Sequence, residues 1–428
     1  MMKTVSKTKL IAISALGSLI ENYDFAIYGF FATLLTALFF PQDSDSMKLV
    51  MAYAVFAVGY VVRPFGGIVF GHLGDVWGRK AGLVISMVCM GIPLLLIALL
   101  PTYQNIGIAA AVLLIICRLL QGLSVGGEFP GAITFLAEHA SIRHRGVISS
   151  LAFVGINIGL LLASGVGLLL THLLTQAQLL SWGWRIAFAV GSLLAVLGYW
   201  IRRQLTETPI FIAEQQHGEV PILPLAHSLR YESVGILKAV GLVAIFAAAI
   251  PVVLIFMPTY LSDYLHLSLS QALLLNTLNA MIFIIFIPVA AWLSDRFGRK
   301  IILLIGCVGF LVLSIPAYHF IQSTHELITF TGMLILGLCT AAITGPLIPA
   351  LAEFFKTTSR STSVALSYNI SVALFGGSAL VVITALISHT GRVEAPAWVL
   401  MVTAGISLLS LLTLRFEPPR SLAEITTK

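Results

Sequence analysis

Charged side chains are scarce in this sequence: only 10% of its 428 residues are Asp, Glu, Lys or Arg. Soluble domains usually carry about 25%. Hydrophobic residues reach 58%, and the mean hydropathy is +1.01. The shortage of charge excludes an ordinary soluble protein and predicts a membrane protein.

Several signals of chemistry are also missing. The four cysteines, Cys89, Cys117, Cys307 and Cys339, lie in apolar blocks without CxxC spacing, so neither a zinc site nor a disulfide framework is expected. The motifs GxxxxGK[ST] and HExxH are absent, which argues against ATP-driven transport and zinc proteolysis. Residues 122–126 satisfy GxSxG, but a nucleophile elbow needs a strand-to-helix turn, and this motif lies inside an apolar block. We therefore expect no enzyme activity, no metal and no cofactor.

Apolar blocks of about 20 residues recur along the chain, and each is long enough to cross roughly 30 Å of hydrocarbon as a helix. We predict twelve, near residues 10–38, 49–72, 81–100, 106–136, 147–172, 184–202, 236–264, 270–293, 300–320, 326–353, 362–388 and 396–415. The predicted fold class is an all-α membrane protein with twelve transmembrane helices embedded in a lipid bilayer.

The net charge of +6 is distributed unevenly between the predicted loops. Basic residues cluster before the first span and in alternate loops: Lys3, Lys7, Lys9, Arg79, Lys80, Arg143, Arg145, Arg202, Arg203, Lys238, Arg296, Arg299, Lys300, Lys356 and Arg360. By the positive-inside rule these loops and both termini are cytoplasmic. The basic charge therefore reports topology, and no nucleic-acid partner is expected.

Two sequence marks occur once in each half of the chain. GHLGDVWGRK at residues 71–80 recurs as AWLSDRFGRK at 291–300, and LAEHASIRHRG at 136–146 aligns with LAEFFKTTSRS at 351–361. We predict a duplicated six-helix unit, with one bundle at residues 1–203, a cytoplasmic linker at 204–235 and a second bundle at 236–428. Parallel repeats with substrate held between them are the plan of the major facilitator transporters.

The repeated loops have a predicted task as a cytoplasmic gate. An aspartate there can accept hydrogen bonds from a helix N-terminus or pair with an arginine, and such a cluster would open when the two halves rock. A solvated loop that only sets topology is the alternative, although it does not explain two copies with matching partners. The predicted gate residues are Asp75, Arg79, Glu138, Arg145, Asp295, Arg299, Glu353 and Arg360.

The first apolar block contains two acids on one helical face. Ser14, Gly17, Glu21, Asp24 and Tyr28 are spaced by 3, 4, 3 and 4 residues, so they form a polar stripe. Such a stripe faces protein or water, because a charge at the bilayer centre costs at least about 2.5 kcal/mol.

Two further predicted helices of the first half supply partners. The second carries Tyr60 and Arg63, and the fourth places Arg118, Gln121 and Glu128 close to one face. In the functional interpretation Arg118 or Arg63, together with Tyr28 and Gln121, binds a substrate carboxylate. Glu21, Asp24 or Glu128 then binds a proton, because burial disfavours a carboxylate and a nearby arginine favours it. In the alternative, the charges form a neutralising structural network.

The sequence also resembles a known family. ENYDFAIYGFFA, RPFGG, RLLQGLSVGGEFPGA, SWGWRIAF with TETPIF, and MPTYL are similar to the metabolite:proton symporters of the major facilitator superfamily. MPTYLSDYL and LSDRFGRK with YNISVALFGG look most like the proline/betaine branch. The osmosensors of that branch continue into a long coiled-coil extension, whereas this sequence ends at RFEPPRSLAEITTK, so osmotic activation is not part of the expectation.

The resemblance implies uptake of a carboxylate-bearing metabolite across the bacterial inner membrane, driven by protons. It implies a small-molecule substrate such as proline, glycine betaine or a di- or tricarboxylate. We also expect the protein to function as a monomer. It also implies that Glu21, Asp24, Arg118 and Glu128 match the intramembrane charges of the family. An exporter or facilitator of the same fold and a non-transporting membrane sensor stay open as alternatives.

Overall fold

The computed structural model describes residues 7–40, 45–139, 145–208, 212, 230–355 and 360–414. Its described residues form long α-helices and contain no β-strand. The helices are α1 Lys7–Phe39, α2 Asp45–Val76, α3 Arg79–Leu99, α4 Ile108–His139, α5 Arg145–Leu173, α6 Trp184–Arg202, α7 Ser233–Ile250, α8 Leu269–Phe297, α9 Arg299–Ile321, α10 Glu326–Phe354, α11 Arg360–Ser371 with its continuation Gly377–Thr390, and α12 Ala395–Thr413.

Ten segments of the described chain are long and apolar enough to cross a membrane, and they fall on α3 to α12. Helices α1 and α2 are 33 and 32 residues long and contain the buried charges of the first two predicted spans. The predicted all-α membrane class is confirmed.

The turns α2–α3 and α8–α9 are the two copies of the repeated sequence, and they are tighter than predicted. Helix α2 continues through Asp75 to Val76, so the predicted loop at residues 71–80 is largely helical. The reversal occurs at Gly78, with φ 107° and ψ 153°, and at the matching Gly298, with φ 98° and ψ 146°. One glycine in each copy supplies a conformation that other residues rarely adopt, so the flanking residues stay helical.

The positive φ of Gly298 is expected to make this position sensitive to substitution. Gly298→Ala is expected to destabilise the protein by about 1–3 kcal/mol, because an L-residue is strained in this backbone region. The added methyl group would contact no atom within 4 Å, so the loss would come from the backbone alone. A lowered melting temperature of the purified protein in detergent would show the effect.

Gly405→Ala is the matched control. Its added methyl group also lies in open space, but Gly405 is within α12 and has no positive φ. The control is expected to melt at or slightly above the wild-type temperature, since alanine is the better helix former. Equal melting temperatures for the two variants would contradict the strain argument.

The described chain divides into two compact units. The first comprises the described residues within 1–139 and 154–225, and the second comprises those within 140–153 and 226–428. In the first unit α2 and α4 pack at glycines: a methyl group added at Gly66 would lie 1.8 Å from Leu123 O, and one at Gly126 would lie 2.1 Å from Arg63 O. The GxxxG spacing in α4 therefore accompanies close backbone contact between helices.

The second unit contains helices with local π-helical turns. Pro251 opens such a turn, Pro251–Ile255, at the end of α7, and further turns follow at Tyr260–Tyr264 and, within α11, at Val372–Gly376. Proline lacks the N–H that a regular helix needs, and a wider turn accommodates this loss. Pro251 therefore interrupts the α-helical pattern of α7 without ending the helical course of the chain.

Candidate functional site

The polar stripe of α1 faces the interior of the first unit. Glu21, Asp24 and Tyr28 are 4%, 0% and 1% exposed, respectively. The backbones of Ser14 and Gly17 belong to the same helix, but the Ser14 side chain lies outside the described part of the structure. Two carboxyl groups are thus held inside a helix bundle, where each requires a partner or a proton.

Asp24, Gln121 and Arg118 form one hydrogen-bonded group between α1 and α4. Nε2 of Gln121 donates to Oδ1 of Asp24 at 2.7 Å, and Nη1 of Arg118 donates to Oε1 of Gln121 at 2.9 Å. The same arginine nitrogen lies 3.6 Å from the same Asp24 oxygen. The structure therefore places together three of the predicted site residues, all 0% exposed.

Aromatic rings flank the two arginines that were predicted to bind substrate. The Arg118 guanidinium carbon lies 4.2 Å from the Tyr28 ring centre and 4.9 Å from that of Phe25. The corresponding distances from Arg63 are 4.4 Å to Phe25 and 4.3 Å to Tyr60. Phe25 thus contacts both guanidinium groups, and cation–π attraction helps to hold their planes in place.

Glu128 has a buried cation as its partner. Arg202 was predicted to be a loop cation, but it lies in the last turn of α6 and is 0% exposed. Its Nη2 lies 2.5 Å from Oε1 of Glu128, and its Nη1 donates to Oε2 at 2.6 Å and to Leu83 O at 3.0 Å. The Ser86 hydroxyl donates to Glu128 Oε2 at 2.5 Å. The loop assignment of Arg202 is therefore wrong.

A periodic signal for Arg202 exists in the sequence. Gly191, Ala195 and Gly198 precede it at helical spacing on the buried face of α6, whereas the next residue, Arg203, is exposed. Small residues at this spacing are typical of a helix face packed on another helix. Arg202 continues that face into the bundle.

Glu21 is the third acid of the first unit. Its strongest charged neighbour is Arg63 of α2, followed by Glu128, Arg202 and Asp24. The buried Oε2 atom of Glu21 has no hydrogen-bond partner. This carboxyl differs from those of Asp24 and Glu128, which are both held by an arginine and a neutral donor.

The first copy of the predicted gate contains an ion pair between Asp75 and Arg79 across the α2–α3 turn. Arg79 Nη1 also donates to Gly74 O at 2.7 Å. Glu207, which is not among the predicted gate residues, accepts from the backbone N–H groups of Arg79 at 3.0 Å and Lys80 at 3.1 Å. A carboxylate at a helix N-terminus is favourable, so Glu207 secures the start of α3.

Two predicted residues of this copy, Glu138 and Arg145, have side chains outside the described part of the structure. Their assignment to the gate stays a prediction.

The second copy is assembled around Arg299. This side chain pairs with Asp295 at 2.5 Å and with Glu353 at 3.2 Å, and it donates to the Ser294 hydroxyl at 2.7 Å. Arg360, the last predicted member, is buried and donates from Nε to Phe355 O at 3.3 Å. Three predicted gate residues are therefore in one ion-pair cluster.

Asp295 also holds the first turn of α5, which clusters with the second unit. Its Oδ1 accepts from Gly146 N at 3.0 Å and its Oδ2 from Val147 N at 3.2 Å. The carboxylate therefore satisfies N–H groups that have no partner within the helix. In the described part of the chain, no group of three His, Cys, Asp or Glu side chains is placed to hold a metal ion.

Buried acids and arginines inside an apolar helical bundle are typical of membrane transporters. The sequence matches the Major Facilitator Superfamily over residues 14–377 and 239–427. The chain belongs to the Major Facilitator Superfamily and is a membrane transporter rather than an enzyme.

Three related proteins show which members of the superfamily this chain resembles. The proline/betaine transporter of Escherichia coli K12 is 36% identical over 98% of this chain and 85% of its own length. The glycine betaine/proline/ectoine/pipecolic acid transporter of Dickeya dadantii is 35% identical, over 94% of this chain and 82% of its own. The citrate-proton symporter of Klebsiella pneumoniae is 32% identical, over 96% and 93% of the two chains. The predicted resemblance to proline/betaine transporters is confirmed.

Solved structures show the same fold. The xylose transporter XylE of E. coli, in a partially occluded inward-open conformation, has a TM-score of 0.71 at 22% identity, with 96% of this chain and 97% of that chain covered. A structure of the proton:xylose symporter XylE with a bromo-sugar bound has a TM-score of 0.78 at 21% identity, with 95% and 94% covered.

Proposed function

We propose that this protein is a proton-coupled symporter that takes up a small carboxylate-bearing metabolite. The observation that carries the proposal is the cluster of buried acids, arginines and aromatic rings in the first unit. Guanidinium groups recognise carboxylates in a fork geometry and stay charged at any working pH. Buried carboxyl groups beside them can bind and release a proton as the local charge changes.

The relatives favour a zwitterion or an organic acid as substrate. Two are named for proline and betaine, and one is named a citrate-proton symporter. All of these substrates carry a carboxylate, which is the group that an arginine of the cluster would bind. We propose proline or glycine betaine as the first substrates to test.

The proposal includes alternating access and a location. We place the protein in the bacterial inner membrane as a monomer with both termini in the cytoplasm, because the basic residues fall in alternate loops. Asp295, Arg299 and Glu353 would form part of the cytoplasmic gate, since Asp295 holds the first turn of α5. Asp75 and Arg79 would form the matching part in the first repeat.

The test uses the purified full chain in proteoliposomes. With an inward proton gradient, labelled proline or glycine betaine is expected to accumulate above its external concentration, and a protonophore is expected to abolish this accumulation. Counterflow exchange is expected to survive the protonophore, because exchange requires no net proton movement. Citrate serves as the alternative substrate in the same assay.

Control variants distinguish a specific loss of transport from a general loss of folding. Arg118→Lys is expected to lower uptake at least about tenfold, since lysine cannot reproduce the planar guanidinium that bonds to Gln121 and lies against Tyr28. The exposed Arg203→Lys is expected to transport like the wild type. Uptake that only equilibrates, with or without the gradient, would identify a facilitator and contradict the proposed symport.

A further inference from the structure

Eight charged side chains are buried in the described part of the first unit. Asp75 and Arg79 pair at the α2–α3 turn, and the other six can be sorted by the partners that they have. Four of them form two oppositely charged pairs. Asp24 and Arg118 are linked through Gln121, and Glu128 and Arg202 are in direct contact. All four are 0% exposed. Each group joins one carboxylate to one guanidinium, so each is close to electrically neutral.

Glu21 and Arg63 are different in two independent respects. Among the residues that the structure describes, neither has an ion pair within 4.0 Å, whereas each of the other four has one. Polar atoms without a hydrogen-bond partner occur in all six side chains, so the ion pairs make the distinction. They also retain 4% and 6% exposure, whereas the other four retain none. The two side chains without an ion pair are therefore the two that keep some contact with the surroundings of the unit.

Charged side chains on four helices, α1, α2, α4 and α6, act on the Glu21 carboxyl group. Arg63 on α2 is the strongest, and it favours the charged carboxylate. Glu128 on α4 and Asp24 on α1 oppose that charge, and Arg202 on α6 supports it more weakly than Arg63 does. Because Arg202 is already engaged by Glu128, Arg63 is the one cation in this group whose charge a substrate can neutralise.

We propose that Glu21 carries the coupling proton and that Arg63 binds the substrate carboxylate, while the other four charges form a fixed neutral frame. This inference rests on the proposed symport and assigns its two working groups. It chooses between the two arginines of the sequence-based hypothesis, Arg118 and Arg63, because the charge of Arg118 is already balanced by Asp24.

Stacking prepares Arg63 for this role. Phe25 and Tyr60 both lie within cation–π distance of its guanidinium, and its Nε has no hydrogen-bond partner. A carboxylate accepts two parallel N–H bonds from such an edge. Rings on the guanidinium fix its orientation without consuming its hydrogen-bond donors.

Substrate binding and proton binding are coupled through the charge of Arg63. A carboxylate bound to Arg63 cancels a charge that favours the ionised form of Glu21, so Glu21 takes a proton from water and forms an O–H bond at its carboxyl oxygen. Departure of the substrate restores the Arg63 charge, and the proton leaves to water. Binding is reciprocal, so a proton on Glu21 strengthens substrate binding by the same factor. The expected stoichiometry is one proton per carboxylate.

The test measures how the affinity for labelled glycine betaine or proline, whichever the wild type accumulates, depends on pH. Wild-type affinity is expected to fall about tenfold for each pH unit above the range in which Glu21 is protonated, because one proton is linked to each substrate. Glu21→Gln imitates the protonated acid, so its affinity is expected to be independent of pH and its exchange activity to persist. Its gradient-driven accumulation is expected to vanish.

Control variants show whether the pH dependence and the substrate affinity belong to the two proposed residues. Glu326→Gln changes an exposed acid and is expected to match the wild type. Asp24→Asn is expected to keep the wild-type dependence on pH even where its activity is lower. Arg63→Gln is expected to weaken substrate binding at least about tenfold relative to Arg203→Gln.

A second measurement uses the wild-type protein, so it does not require any variant to fold. A membrane-permeant carbodiimide reacts with protonated carboxyl groups, and mass spectrometry is expected to find the adduct on Glu21 rather than on Asp24 or Glu128. A pH dependence that persists in Glu21→Gln, or an adduct on Asp24 or Glu128 alone, would overturn the assignment. A wild type that accumulates no substrate under any gradient would instead refute the proposed symport.

Discussion

Replacing Glu128 with glutamine is expected to destabilise the protein by about 3–5 kcal/mol, which is the usual effect of breaking a buried ion pair from one side. The reason is the environment of Arg202. Its guanidinium is completely buried, and Glu128 is the carboxylate that contacts it at 2.5 Å. Glutamine can keep one hydrogen bond but cannot neutralise the charge, so the variant would contain an uncompensated cation inside the bundle.

A double variant distinguishes this explanation from simple loss of packing. Glu128→Met with Arg202→Met removes both charges at similar volume, and such replacements are often neutral or stabilising. The expected order of melting temperatures in detergent is therefore wild type close to the double variant, with both single variants well below. Arg203→Met, at the exposed neighbouring position, is the matched control and is expected to melt like the wild type.

Additive losses in the double variant would contradict the interpretation of Glu128 and Arg202 as an isolated neutral pair. That result would mean that each side chain is stabilised by groups other than its partner.

Gly66→Ala is expected to have the second large effect, namely loss of most of the folded protein. The added methyl carbon would lie 1.8 Å from the Leu123 carbonyl oxygen and 2.7 Å from its carbonyl carbon. These are backbone atoms of a neighbouring helix, so no side-chain rotation relieves the overlap. Helices α2 and α4 would have to separate, and the packing around Arg63 and Arg118 would be lost with them.

Gly29→Ala adds the same methyl group on α1, where no atom lies within 4 Å. This control is expected to give wild-type yield and a wild-type elution profile in size-exclusion chromatography. Normal folding of Gly66→Ala would show that the contact between α2 and α4 is looser than its geometry indicates.

The sequence allowed prediction of the features that depend on local periodicity. Spacing of 3 and 4 residues put Glu21, Asp24 and Tyr28 on one face of α1, and the same reasoning put Arg118 and Gln121 on one face of α4. A charged stripe on an apolar helix has to face inward, so the contact between Asp24 and Arg118 was an accessible inference. Internal duplication similarly indicated where the α2–α3 and α8–α9 turns occur.

Features that depend on tertiary packing were missed. Arg202 sits at a helix end, where the positive-inside rule assigns basic residues to the cytoplasmic side without saying whether a side chain points inward. Glu207 reaches the N-terminus of α3 from 128 residues further along the chain. No local pattern encodes that contact, because the partner is a set of backbone N–H groups rather than a side chain.

The partner of each buried acid also required the structure. Three acids and two arginines in the predicted spans permitted several pairings, and the unrecognised third arginine changed the balance. Once Arg202 is assigned to Glu128, and Arg118 to Asp24, Glu21 and Arg63 are left as the two side chains of this group without an ion pair to a described residue. The distinction between frame and working pair thus depends on one buried arginine.

The most direct test of the account measures protons rather than substrate. Proteoliposomes that contain the wild-type protein and a trapped pH-sensitive dye are prepared without any gradient, and glycine betaine or proline is then added outside. The interior is expected to acidify as substrate enters with protons, whereas vesicles with Glu21→Gln are expected to show no pH change while still exchanging substrate. Substrate entry into wild-type vesicles without acidification, under conditions in which a protonophore control confirms intact vesicles, would contradict proton coupling.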